Sequence, residues 1–187
     1  AEKFEARAQA IPVLNDGSEI TLLEFTLSTD GEKTLTGIKL DTTGTTDLKD
    51  IAEIGVEHLR KAGNRWFSKT NTPTNTIDLA GKMDFPKGNH KCRVVIRTKK
   101  SADLLHRVGV QISGFQFADG SQLNVPANKN HQAQRLAYPI HKQGEFDCHT
   151  FRIPAISKAN NGDLLALYDM RYNSRKDLQE HIDIGLS

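Results

Sequence analysis

Short runs in which hydrophobic and polar residues alternate recur along the first 140 residues and predict β-strands. The clearest is KCRVVIRTKK (91–100), where Cys92, Val94 and Ile96 fall on one face and basic residues on the other. Further strands are predicted at 19–28, 33–41, 51–59 and 107–117, although 51–59 also fits a short helix. Because long helical patterns are absent and turn-forming residues separate the runs, we predict an all-β fold, with a jelly-roll-like β-sandwich over residues 1–140.

The pattern changes after residue 140. It predicts a strand at 151–157 and, after a tight turn, a returning strand at 163–169. A polar loop at 170–181 and a third strand at 182–187 follow. The segment 141–187 has roughly the length of a single propeller blade. Because one such sheet cannot bury both of its faces, we expect this segment to be the beginning of something larger, such as an incomplete β-propeller.

Composition and charge narrow the function without naming it. The chain has 187 residues, of which 37% are hydrophobic and 26% charged, as in ordinary soluble domains with a real core. Its net charge of +2 is too small to indicate nucleic-acid binding by electrostatics alone. No apolar run approaches the roughly 20 residues of a membrane-spanning helix. The first ten residues lack the apolar core of a signal peptide, and we expect that such a segment was removed or never existed.

Cysteine and histidine positions do not predict a metal or any other cofactor. Cys92 and Cys148 are far apart and fit either two free thiols or one disulfide. Cys148 and His149 are neighbours on a strand and point to opposite faces, which disfavours a nucleophile–base pair. The basic face of 91–100 is interpreted as a solvated surface rather than a site for acidic glycans. Trp66 is interpreted as a core residue rather than a sugar-stacking platform.

Charged residues collect at one end of the predicted C-terminal hairpin. Arg152 begins the first strand and Arg171 follows the second, so an antiparallel pairing brings them side by side. The loop that carries Asp177 and Glu180 leaves from the same edge. Paired guanidinium groups recognise carboxylates or phosphates, and a carboxyl beside them can donate a proton if its pKa is raised. A surface hairpin with solvated ion pairs also explains the charge pattern.

FRIPAI (151–156), followed by NGDLLALYDMR (161–171) and a polar loop, resembles the opening propeller blade of the bacterial exo-α-sialidases, or neuraminidases. The resemblance implies that Arg152 is one of three arginines that bind the carboxylate of sialic acid. It implies that Arg171 contacts the 4-hydroxyl side of the sugar and that Asp177 is the catalytic acid/base. The preceding sandwich resembles, less specifically, the N-terminal β-sandwich that some of these enzymes carry.

Two other carboxylates lie close to Asp177 in the sequence. Asp169 follows the apolar run of the returning strand, and we expect it to position Arg171 or to cap the strand. Asp183 alternates with Ile182 and Ile184, so we expect it on the opposite face of its strand. Asp177 is therefore the predicted acid.

For the parent protein, the resemblance implies hydrolysis of terminal sialic acids from glycoconjugates with retention of configuration. Sialidases use a tyrosine nucleophile. That tyrosine, its glutamate and two further arginines are expected from later blades beyond Ser187, so the 187-residue chain alone is expected to be inactive. Sialylated glycans are the implied partners, with no nucleic acid and no cofactor. The implied location is outside a bacterial cell, in its periplasm or on its surface, with the signal peptide removed. The alternative is a non-catalytic carbohydrate-binding or adhesion module.

Overall fold

The protein, seen in a computed structural model, is built of β-strands in two compact units, Ala1–Tyr138 and Pro139–Ser187. The residues that the structure describes are 2–8, 12–129, 131–177 and 181–187. Within these ranges there is no α-helix, and the two helical segments are 3₁₀ turns at Leu48–Asp50 and Glu145–Asp147. The predicted all-β fold is confirmed.

The first unit contains twelve strands in its described residues. They are β1 (Lys3–Ala8), β2 (Val13–Leu14), β3 (Ile20–Thr29), β4 (Lys33–Asp41), β5 (Ile51–His58), β6 (Arg65–Thr70), β7 (Thr76–Phe85), β8 (Gly88–Thr98), β9 (Arg107–Val108), β10 (Gln111–Phe117), β11 (Gln122–Asn124) and β12 (Gln134–Ala137).

Two antiparallel sheets form a β-sandwich. The five-stranded sheet has the order β1-β3-β8-β5-β6, and the four-stranded sheet has the order β11-β10-β4-β7. The chain passes from one sheet to the other between β3, β4 and β5 and again between β6, β7 and β8, as in jelly rolls. A small third sheet, β2-β12-β9, contains the parallel pair β2–β12.

The core lies between the two large sheets. Phe25 of β3 and Phe115 of β10 meet across it with ring centroids 5.9 Å apart, and Phe4 of β1 contacts both rings. The alternation seen in the sequence buries one face of each strand. The largest fully buried side chains are Phe85, Phe115, Leu27, Leu35, Ile38, Leu40, Ile51, Ile54, Ile96, Val13, Val56 and Val94.

Strand boundaries differ from prediction where the chain changes sheet. The predicted strand 107–117 is interrupted: β9 pairs with β12, whereas β10 pairs with β4. Gly109 lies in the interruption, where an added Cβ would stand 2.6 Å from the carbonyl oxygen of Thr43. The segment 51–59 forms a strand, β5, and not a helix.

The second unit contains one antiparallel sheet of three strands, β13 (Thr150–Lys158), β14 (Leu164–Arg171) and β15 (Ile182–Leu186), in that order. The polar loop predicted to start at residue 170 starts later, because Arg171 still pairs with Thr150 on one side and Ile182 on the other. Many apolar side chains of this sheet are exposed. They are Ile153, Ile156, Leu164, Leu165, Leu167, Ile184 and Leu186.

Both cysteines are free and buried. Burial raises the pKa of Cys92 to about 12, so this thiol is unreactive near neutral pH. The Sγ atom of Cys148 lies 3.3 and 3.4 Å from the carbonyl oxygens of Thr150 and Arg171, which share its single weak S–H donor. No helix among the described residues is long and apolar enough to cross a membrane.

Candidate functional site

A β-bulge sets the position of Arg152 at the edge of the three-stranded sheet. Arg152 pairs with Asp169 and Ala155 pairs with Leu167, so two residues, Ile153 and Pro154, face a single residue of β14. Ile153 adopts φ 52°, a left-handed conformation that is uncommon for a β-branched residue. Pro154 lacks an N–H group and is tolerated because β13 is an edge strand. Such bulges redirect side chains and often occur beside functional sites.

Arg171 is buried at the end of β14, with its side chain 3% exposed. Its Nη1 donates hydrogen bonds to the carbonyl oxygens of Arg175 and Lys176, at 3.2 and 2.9 Å. Its Nη2 donates to Asp169 Oδ2 at 2.8 Å. These contacts tie the loop after β14 back to the strand that precedes it.

Asp177 lies between the two arginines. Its Oδ1 accepts hydrogen bonds from Arg152 Nη1 and from Arg171 Nη1, both at 2.8 Å. The pKa of Asp177 is held below its ordinary value, mainly by the hydrogen bond from Arg171 and next by the positive charge of Arg152. The carboxylate remains accessible, since the Asp177 side chain is 72% exposed and that of Arg152 is 38% exposed. The three residues singled out from the sequence therefore form one cluster.

The neighbouring carboxylates Asp169 and Asp183 each accept a hydrogen bond from another side chain. Asp169 bonds Arg171, which is the positioning contact expected from the sequence. Asp183 accepts a hydrogen bond from the hydroxyl of Tyr172 at 3.0 Å. This hydrogen bond is the main reason why the pKa of Tyr172 is raised above its ordinary value. Tyr172 was not anticipated, although it directly follows Arg171 in the sequence. Glu180, the other carboxylate expected at this edge, lies outside the described residues.

An aromatic cluster in the same unit is not evident from the sequence. The His141 ring stacks on Phe151 at 5.1 Å and meets the edge of Tyr168 at the same distance. Gly185 pairs with Tyr168, and an added Cβ there would stand 2.1 Å from the Tyr168 ring. Glycine is therefore required at position 185, where the Tyr168 ring crosses β15. This pairing of Gly185 with Tyr168 becomes visible only when the strand register is known.

Two features of the first unit are accounted for by contacts within that unit. On the basic face of β8, Arg93 bonds Glu57 at 2.6 Å and Arg97 bonds Glu53 at 2.9 Å, so neighbouring carboxylates neutralise much of its charge. The prediction that Trp66 is a core residue is wrong, because this side chain is half-buried and lies outside the core, with Lys69 Nζ 5.2 Å from its ring centre. Among the described residues, no group of three or more His, Cys, Asp or Glu side chains is placed to hold a metal ion.

The chain is similar to known proteins over its whole length. Residues 1–61 match the family described as the N-terminal domain of BNR-repeat neuraminidase. The chain is also 25% identical, over 217 aligned positions, to a sialidase of Bacteroides fragilis (strain YCH46). These matches confirm the resemblance to bacterial sialidases.

A solved sialidase has a similar fold. The Hadza microbial sialidase Hz136 matches 97% of this chain with a TM-score of 0.81 and 22% identity. At that identity the likeness concerns the fold. The chain covers 40% of the Bacteroides fragilis sialidase and 40% of Hz136, so it corresponds to a part of the length of these sialidases.

Proposed function

We propose that this chain is the N-terminal part of an exo-α-sialidase, a glycoside hydrolase that removes terminal sialic acids from glycoconjugates with retention of configuration. The observation that carries the proposal is the cluster of Arg152, Arg171 and Asp177, joined by 2.8 Å hydrogen bonds, in a chain similar to sialidases. An exposed arginine beside a carboxyl suits a substrate that carries a carboxylate next to the bond to be broken.

In this proposal Arg152 binds the substrate carboxylate and Asp177 protonates the departing glycosidic oxygen. Arg171 was expected to contact the 4-hydroxyl side of the sugar, and that contact stays a prediction. The burial of Arg171 supports an additional role, in which it holds Asp177 and the loop before it in place.

The second unit, taken from residue 141 onward, is proposed to be the first blade of a propeller. Its exposed apolar side chains support this proposal, because a blade inside a propeller packs its faces against neighbouring blades. Sialidases use a tyrosine nucleophile in place of a second carboxylate. We assign that tyrosine, its glutamate and two further arginines to the remainder of the full-length protein, and we place the enzyme outside the bacterial cell, in its periplasm or on its surface.

A non-catalytic carbohydrate-binding module is the second candidate. The β-sandwich of the first unit favours it, since this architecture is widespread in lectin domains. In that case the arginine cluster would have no catalytic role, and the full-length protein would bind glycans without hydrolysing them.

The full-length protein with Asp177→Ala tests the proposed function. We expect it to lose about 10²- to 10⁴-fold in kcat on natural sialosides, whose leaving groups need protonation. A sialoside with a good leaving group, such as 4-methylumbelliferone, needs little protonation and should lose far less. Steady-state kinetics on both substrates gives the comparison.

Asp163→Ala is the matched control, because Asp163 lies at the turn between β13 and β14, away from the cluster. It should leave both rates near those of the unchanged protein. Equal losses on the two substrates in Asp177→Ala would contradict the acid role. Glycan binding without any hydrolysis by the unchanged protein would favour the second candidate.

A further inference from the structure

The two arginines that hold Asp177 differ in what else they bind. Arg171 is buried and its guanidinium group also donates to Asp169 and to two backbone carbonyl oxygens. Without Asp177 it would keep those three acceptors. Arg171 is therefore the fixed partner of Asp177.

Arg152 is the accessible partner. Its Nη1 donates to the Arg175 carbonyl oxygen and to Asp177 Oδ1, both at 2.8 Å. Its side chain is 38% exposed. A ligand carboxylate that reaches Arg152 must therefore bind beside Asp177 or take its place on the guanidinium group.

We propose that Asp177 and the carboxylate of the ligand share Arg152, so that ligand binding and protonation of Asp177 favour each other. The inference rests on the proposed function, in which Arg152 receives the carboxylate of sialic acid. Two effects act in the same direction. A second negative charge close to an ionised carboxylate disfavours ionisation, and displacement from Arg152 removes one of the two donors to Asp177 Oδ1.

This coupling addresses a difficulty in the acid role. Without ligand, the hydrogen bond from Arg171 and the charge of Arg152 keep the pKa of Asp177 low, whereas a general acid must carry its proton. Arg175 and Lys176 precede Asp177 in its own loop. Among the described residues, the charged groups that bond Asp177 are Arg152 from β13 and Arg171 from β14, and Asp169 bonds Arg171. Of these, Arg152 is the group that a ligand can engage, so arrival of the substrate itself would prepare the acid.

Calorimetric titration of the full-length protein with N-acetylneuraminic acid tests the coupling. Asp177→Asn keeps the shape of the side chain and removes its charge. We expect it to bind this carboxylate about fivefold more tightly than the unchanged protein at pH 7, the size of one like-charge repulsion at about 4 Å in water. Asp163→Asn, which removes a charge far from the cluster, should leave the affinity unchanged.

Two further measurements isolate the repulsion between the two carboxylates. The neutral methyl ester of N-acetylneuraminic acid should bind Asp177→Asn no more tightly than the unchanged protein. If Asp177→Asn does not fold, carbon NMR of the unchanged protein should show the pKa of the Asp177 carboxyl rising when N-acetylneuraminic acid is added.

The outcomes separate the inference from the function on which it rests. Hydrolysis of sialosides together with equal or weaker carboxylate binding by Asp177→Asn would overturn the coupling and leave the proposed function standing. An Asp177 pKa that does not move on ligand addition would do the same. Absence of N-acetylneuraminic acid binding by every variant and by the unchanged protein, with no hydrolysis, would overturn both.

Discussion

The two units of the protein bury different kinds of side chain. In the sandwich the largest fully buried side chains are apolar, Ile54 and Phe85 among them, while Arg93 on the other face of β8 pairs with Glu57. In the three-stranded sheet the buried residues include the charged Arg171, and large apolar residues such as Ile156 are exposed.

This difference means that the two units are held together by different interactions. Burial of apolar surface contributes about 25 cal/mol per Å², so the sandwich draws its stability from the space between its sheets. In the second unit, hydrogen bonds from Arg171 hold the loop that follows β14. In the proposed propeller, its exposed apolar side chains would be covered by the rest of the enzyme.

The largest expected effect is a loss of stability when isoleucine is replaced by alanine, compared between one isoleucine of each unit. Ile54 is fully buried in the sandwich core, and Ile156 is 71% exposed in the second unit. Ile54→Ala should lower the free energy of unfolding of the sandwich by about 2–5 kcal/mol, because it removes buried methylene groups and leaves a cavity. Ile156→Ala should change the free energy of unfolding of the second unit by less than about 0.5 kcal/mol.

Chemical denaturation of the 187-residue chain measures both variants. Similar losses would mean that Ile156 is packed as tightly as Ile54, and the contrast between the units would fail.

A smaller and more local effect is expected for the buried arginine. Arg171→Met removes the hydrogen bonds to the carbonyl oxygens of Arg175 and Lys176. Trypsin cleaves after both residues, so the loop should become about tenfold easier to cut, since each lost buried bond shifts the local opening equilibrium. Cleavage rates followed by mass spectrometry report the change.

Arg93→Met is the matched control. It removes the pair with Glu57 inside the first unit and should leave cleavage after Arg175 and Lys176 unaltered. A loop that resists trypsin equally well in Arg171→Met would show that Arg171 does not hold it.

The smallest expected effects are changes of stability with pH, and two of them concern histidines of the first unit. The hydrogen bond with Asp50 raises the pKa of His106 above 6.5, so its stabilisation is complete below 6.5 and is lost as pH rises through the raised value. Burial, followed by the charge of His90, lowers the pKa of His58 below 6.5. Its contribution is present above 6.5 and is lost as pH falls through the lowered value.

Melting temperatures at pH 8 and pH 5.5 test these signs. The drop in melting temperature caused by His106→Asn should be larger at pH 5.5 than at pH 8. The drop caused by His58→Asn should be smaller at pH 5.5 than at pH 8. In the second unit, Asp177 has a lowered pKa, so its ion pairs should persist until the pH falls below the usual carboxyl value of about 3.8. Equal losses at both pH values would contradict the assigned shifts.

Regular alternation made much of the fold predictable from the sequence. The prediction for 33–41 coincides with β4, because its apolar positions alternate between two clear turns. Strand β1 (KFEARA) was missed because most of its side chains are exposed, so it has little apolar signal. Strand β7 was missed as well: its inward-facing positions alternate, but Gly81 leaves one of them without an apolar side chain.

The sequence predicted where the candidate site lies in the fold, but not the detailed contacts within it. The return of the hairpin indicated that Arg152, Arg171 and Asp177 would lie at one end of the sheet. The burial of Arg171 depends on the carbonyl oxygens of residues 175 and 176, which turn back towards β14. Backbone groups of a loop leave no pattern in a sequence, and neither does the left-handed Ile153 in the bulge.

The central claim is that Arg152 receives the carboxylate of sialic acid. A crystal structure of the full-length protein with N-acetylneuraminic acid tests it most directly. We predict the sugar carboxylate within about 3 Å of a guanidinium nitrogen of Arg152, with Asp177 facing the anomeric oxygen. A sugar bound elsewhere, with Arg152 still paired only to Asp177 and the Arg175 carbonyl oxygen, would contradict the account.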